Sequence, residues 1–144
     1  MENNESIEEK INWKMIDQLH NATINFSKNS LEIKKLVFVV IGISTPLIIN
    51  LCNNQLNKAL FISLYIIIGL FWILDSYTYY YQKKLRNNME SYIAKIRNTN
   101  FDNSTKRLVL IFKSLFNWSH ACFYGVLTVI TILLHILFSY HIIG

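Results

Sequence analysis

Three long stretches of this chain are almost free of charge, and that pattern constrains its fold more than any other feature. Between Lys35 and Lys58 there is no Asp, Glu, Lys or Arg; between Lys58 and Lys83 there is only Asp75; after Lys113 there is none up to Gly144. Each interval reaches the roughly 20 residues that a bilayer-spanning helix requires. Only 16% of the 144 residues are charged, against about 25% in soluble domains. The mean hydropathy is +0.27. The chain therefore reads as an all-α integral membrane protein. Transmembrane helices are expected over residues 36–52, 59–82 and 118–144, an amphipathic helical region over 1–35, and a basic cytoplasmic helical hairpin over 83–117. The polar, acidic start is in the wrong order for a cleavable signal peptide.

Orientation follows from where Lys and Arg fall. The segment from Lys83 to Lys113 holds eight of them, against Glu90 and Asp102. The loop between the first two spans offers only Lys58, and the carboxyl tail offers none. The amino terminus and the basic loop are thus expected inside, and the carboxyl terminus outside. Cys52 and Cys122 then fall near opposite faces, which implies no disulfide within a subunit.

Ile7, Ile11, Met15 and Leu19 recur at spacing four, which predicts an amphipathic helix; Ser6, Glu8 and Glu9 suit its start. Its apolar face needs a partner, whether membrane surface, cytoplasmic loop or second subunit. Beyond the second span, Leu85, Met89, Tyr92 or Ile93, and Ile96 keep a helical spacing as far as Asn98. "NTNFDNST" then reads as a turn, with Ser104 or Thr105 as a cap, followed by a helix from Leu108 that runs unbroken into the third span. The amino-terminal helix and the two extensions together predict a helical cytoplasmic collar.

Asp75 is the main candidate for function. It lies 17 residues after Lys58, about 25 Å along a helix axis, and so near the inner end of its span. A charge there requires a partner or water. Either it reaches the headgroup region or pairs with a base such as Lys113, or it faces an aqueous path or a subunit contact. The third span carries His120, Tyr124, Thr128, Thr131, His135 and Ser139 on one helical face. Such a face serves either helix packing or the lining of a pore in an oligomer. Pro46 is expected to bend the first span, with Ser44 and Thr45 near the freed carbonyls. Trp72, Tyr77, Tyr79, Tyr80, Tyr81 and Trp118 read as an interfacial belt.

Enzyme chemistry finds no support in the sequence. Phosphate loops, HExxH, CxxC pairs, metal-spaced Cys and His and paired catalytic carboxylates are all missing, so neither cofactor nor metal is expected. The basic residues Lys83, Lys84, Arg86, Arg97, Lys106 and Arg107 would suit an acidic ligand such as an oligonucleotide. Positive-inside topology accounts for the same charge without one.

"MIDQLHNATINFSKNSLEIKK" and "FWILDSYTYYYQKKLRNNM" resemble segments of small bacterial three-helix membrane effectors of antiphage defence. Those proteins carry Asn-Ser-x-x-x-Lys before the first span, matched by Asn29, Ser30 and Lys34. Trp-x-Leu-Asp-x-Tyr then closes the second span, matched by Trp72, Leu74, Asp75 and Tyr77, with Arg86 beyond. Phe123 and Tyr124 match a Phe-Tyr opening of the last span. A glutamate common in the extension is replaced here by the stretch of Gln82 and Lys83. The resemblance implies a homo-oligomeric channel that depolarises the bacterial inner membrane in abortive infection. Its control would come from a nucleotide signal made by a partner nucleotidyltransferase, as in cyclic-oligonucleotide systems or the Hailong system. Membrane lipids are the other expected partner, and genomic DNA is not one. The alternative is a non-conducting membrane adaptor or a small membrane-disrupting toxin.

Overall fold

The fold, taken from a computed structural model, is described for residues 6–53, 56–100 and 107–141, with backbone alone for 107–110. Among these residues every regular element is an α-helix: α1 (Ile7–Leu51), α2 (Lys58–Ile96), α3 (Arg107–Leu115) and α4 (Trp118–Ser139). The helix start expected at Ser6 is a full capping box. Ser6 Oγ accepts from the Glu9 amide, and the Glu9 carboxylate accepts from the Ser6 amide, both at 3.2 Å.

The amphipathic region and the first apolar run form one helix, with no break at residue 35. Pro46 lies inside α1, and the helix continues past it to Leu51. Two helices, α2 and α4, are long and apolar enough to cross a membrane. The apolar end of α1, residues 36–51, is shorter: at 1.5 Å per residue it measures about 24 Å, against a hydrocarbon core of about 30 Å.

α1 and α2 form a long antiparallel hairpin. Phe26 stacks on Tyr81 with centroids 5.8 Å apart, Ser30 meets Asp75, and Val37 packs with Ile68. Ile16, Thr23 and Ala94 are buried along it, so α2 partners part of the amino-terminal half, while Ile7 and Ile11 of the expected apolar face stay exposed. α4 joins through Tyr124, which with Val37 and Ile68 forms a small core flanked by Ile41, Phe71, Trp72, Phe123 and Leu127. α1 and α4 meet through a few side chains, Val37 and Phe38 against Tyr124 and Phe123, while each packs mainly on α2.

Two expectations need correction. The helix expected to run from Leu108 through the third span is broken at Asn117, whose extended backbone (φ −64°, ψ 133°) ends α3 and starts α4. Asn favours such a helix-start position because its short polar side chain competes with helical bonding. Moreover, α3 does not join a collar beside the outer part of α2. It packs lower, where Ile111, Ser114 and Leu115 face Ile73, Ser76 and Tyr80 across a cavity of about 470 Å³. The turn residues 101–106, with the expected caps Ser104 and Thr105, lie outside the described residues.

α2 ends through backbone chemistry readable in "RNTN". Asn98 adopts a left-handed conformation (φ 51°), the Asn98 amide donates to Lys95 O at 3.2 Å, and the Thr99 amide donates to Ala94 O at 3.0 Å. This is a Schellman closure with Asn in the left-handed position. Asn98→Val is expected to lower stability by about 1–2 kcal/mol, since a β-branched residue resists that conformation, whereas Asn98→Gly retains it. Thermal unfolding followed by circular dichroism distinguishes the two.

Candidate functional site

Ser30 and Lys34 stand one turn apart on α1, a spacing that places both side chains on the same face. Lys34 Nζ donates to Ser30 Oγ at 3.0 Å. The antiparallel hairpin sets this face opposite Asp75 of α2, and the break at Asn117 brings His120 into the first turn of α4 at the same level. The four side chains converge. Lys34 Nζ lies 2.9 Å from Asp75 Oδ2, His120 Nδ1 donates to the same oxygen at 2.7 Å, and Ser30 Oγ donates to Oδ1. Thr78 closes the α2 side, its hydroxyl donating to the Asp75 carbonyl at 2.7 Å.

Burial makes this cluster costly to disturb. Asp75 is 0% exposed and His120 2%, whereas Lys34 keeps 18% of its side chain accessible. A buried carboxylate demands charge and hydrogen bonds at both oxygens, and here each oxygen has them. The carboxylate can only accept, so Nδ1 of His120 carries the proton. Lys34 Nζ approaches that nitrogen to 3.5 Å, but two donors do not bond; they share one acceptor. Tyr79 meets the His120 ring edge-on at 5.4 Å. Tyr124 is fully buried with its hydroxyl beside the carboxylate, yet at no hydrogen-bonding geometry.

Trp72 supports the cluster from below. Its indole N–H donates to the Leu115 carbonyl at 3.0 Å, and its ring stacks over Tyr124 with centroids 6.4 Å apart. It thereby satisfies a terminal carbonyl of α3 and holds the α3–α4 corner against α2. Tyr77 and Trp118, the latter 84% exposed, remain on the surface.

The other candidates are distributed differently. Lys113, the base suggested for Asp75, is exposed and forms no part of the cluster. On α4, Tyr124 and Thr131 are buried, while Thr128 and His135 are partly covered and Ser139 is exposed. The hydroxyls of Thr128, Thr131 and Ser139 donate to carbonyls one turn back at 2.8, 2.9 and 2.9 Å. His135 stacks on Phe61 of α2 at 4.6 Å, with Nδ1 3.4 Å from the Tyr65 hydroxyl. Within the chain, then, most of the polar face turns toward α2. Among the basic candidates, Lys83 and Arg86 share a shallow cavity with Glu90, and Lys84 lies over Tyr81. Arg97 stands 11 residues beyond Arg86, about 16 Å along the helix. Lys106 and the side chain of Arg107 lie outside the described residues. No cluster suited to a metal occurs among the described residues.

Lys113 is an example of a base that could pair with Asp75; the base that does is Lys34, and the signal for it is present in the sequence. Lys34 lies two residues before the first apolar run, His120 near the start of the third and Asp75 near the end of the second, so all three stand at corresponding ends of those runs. In the structure, Ser30, Lys34, Trp72, Asp75 and Tyr124, five of the residues carrying the resemblance, become neighbours. Compared with family models, curated proteins and solved structures, the chain matches none.

Removing one partner of a buried pair costs about 3–5 kcal/mol, whereas replacing the whole set by apolar groups is often neutral. Asp75→Leu alone is therefore expected to destabilise by about that amount, and Asp75→Leu combined with Lys34→Met and His120→Phe to recover most of it. Thermal unfolding of the purified protein in detergent reads both. Equal midpoints for Asp75→Leu and wild type would contradict the geometry.

Proposed function

We propose that the chain is an oligomeric membrane effector of bacterial antiphage defence, an ion channel that depolarises the inner membrane under control of a nucleotide signal. The amino terminus and the basic segment Lys83–Lys113 lie in the cytoplasm, as their charge directs. The observation that carries the reading is the Asp75 cluster. A carboxylate with 0% exposure, held by Lys34 of α1 and His120 of α4, is a costly way to pack three helices unless the arrangement is also used. It acts as a latch: its contacts hold one arrangement of α1, α2 and α4, and a signal that shifts the cytoplasmic ends of α1 and α2 reaches it directly along the hairpin. Three helices are too few to enclose a pore, so conduction requires several copies. The apolar surfaces of α1, α2 and α4, including Phe38, Leu70 and Val126, are exposed and available to lipid or to other subunits.

A second reading, a non-conducting adaptor or a membrane-disrupting toxin, is favoured by one observation. The polar groups of α4 expected to line a pore are largely spent on their own helix and on α2.

Ion flux from liposomes containing the purified protein separates the readings. The channel account expects Asp75→Asn to change flux at least tenfold, since a latch worth more than about 1.4 kcal/mol shifts a two-state equilibrium by that factor. His135→Leu is expected to change it less than twofold, because His135 faces α2. No flux from wild type or Asp75→Asn, with or without added oligonucleotide, would sink the channel and leave the adaptor.

A further inference from the structure

A second polar feature lies on the outer side of the latch. α1 and α4 meet through only a few side chains, and beside their junction opens a cleft of about 540 Å³. Its walls include Lys28 and Lys34 from α1, Gln82 from α2, and Asn117, Ser119 and His120 from α4. Two cationic groups and three amide or hydroxyl groups face one space. No carboxylate is among the described residues that line it, and Asp75 is fully buried behind Lys34 and His120. Asn117 makes no side-chain cap, so the first amides of α4 are left open at the same end, which adds to the positive potential without creating it.

The cleft sits where the apolar runs give way to polar sequence: Lys34 precedes Leu36, Gln82 follows the tyrosines, and Asn117 precedes α4. Below it, the seam between α1 and α4 is apolar and partly open. Phe38 meets Phe123 edge-on at 5.7 Å, and Phe38 and Val126 are exposed. A molecule with an anionic head and hydrocarbon tails matches both parts. Basic pockets between membrane helices on the cytoplasmic side bind phosphate head groups in this way.

We infer that this cleft binds the phosphate of an anionic phospholipid headgroup through Lys28 and Lys34, with the acyl chains along the α1–α4 seam. The assignment rests on the membrane reading proposed above. Lys34 is shared between the cleft and Asp75, so a bound headgroup and the latch compete for the same ammonium.

The test is lipid binding to the full-length protein in detergent, followed by native mass spectrometry with phosphatidylglycerol titrated against phosphatidylcholine. Lys28→Gln and Gln82→Glu are the variants, both outside the latch; Lys10→Gln, far along α1, is the control. Phosphatidylglycerol is expected to bind more tightly than phosphatidylcholine. Lys28→Gln is expected to weaken it about fivefold, the contribution of one basic residue at a membrane surface, and Gln82→Glu by a similar factor. Lys10→Gln is expected to leave it unchanged. No preference for phosphatidylglycerol, or equal behaviour of Lys28→Gln and Lys10→Gln, would overturn the inference. Inorganic phosphate and a short oligonucleotide form the competing arm. If either binds with the same dependence on Lys28 while phosphatidylglycerol does not, the occupant is a soluble anion and the lipid assignment fails. Flux is read separately: intact flux without lipid preference refutes the cleft alone, and lipid preference without flux refutes the channel alone.

Discussion

One carboxylate organises this molecule. Asp75 is fully buried in a helix that carries no other charge over the 16 residues between Lys58 and itself, and it is stabilised there because two other helices, α1 and α4, deliver donors to it. Lys34 and His120 both address Oδ2, while Ser30 addresses Oδ1. No single element could supply that set. The hairpin register of α1 on α2 and the placement of the α4 start are therefore coupled through a few directional contacts. The surrounding apolar core of Val37, Ile68 and Tyr124 is small and tolerates sliding far better than the carboxylate does.

This division of labour explains the shape of the rest. α1 and α2 are long because their outer halves cover one another, burying Ile16, Thr23 and Ala94. α4 needs a sharp start, and the chain provides it with Asn117 and with Trp72, which ties off the Leu115 carbonyl. α1 and α4 meet at the cluster and through Val37 and Phe38 against Tyr124 and Phe123, and Phe38 and Val126 stay exposed along their seam. A cluster that is both the main polar tie and the neighbour of an open cationic cleft is well placed to respond to what binds there.

Much of the architecture was legible in the sequence. The helix start at Ser6, the stop near Asn98 and the all-helical character follow from caps, left-handed asparagine and periodicity, which are local properties. The fusion of the amphipathic region with the first apolar run was not legible, since composition changes at residue 35 while helix propensity does not. The break at Asn117 was missed because one asparagine in a long apolar context is a weak local signal; Trp72, 43 residues before Leu115, supplies the stabilising contact to that carbonyl. For the site, Asp75 was found from its cost in an apolar run. Lys34 and His120 required knowing which helix ends share a depth, a tertiary fact that only the apolar run boundaries hint at. Lys113 carried the obvious opposite charge but lies on an exposed face of α3.

The central claim is that the Asp75 cluster holds α1 and α4 in one arrangement. Spin labels at Cys122 on α4 and at Leu31→Cys on α1, both exposed positions, with Cys52→Ser, report that arrangement directly by pulsed electron paramagnetic resonance in lipid nanodiscs. The account predicts a single narrow distance distribution with Asp75 intact. With Asp75→Asn it predicts a second, longer population. Indistinguishable distributions in the two proteins would contradict it.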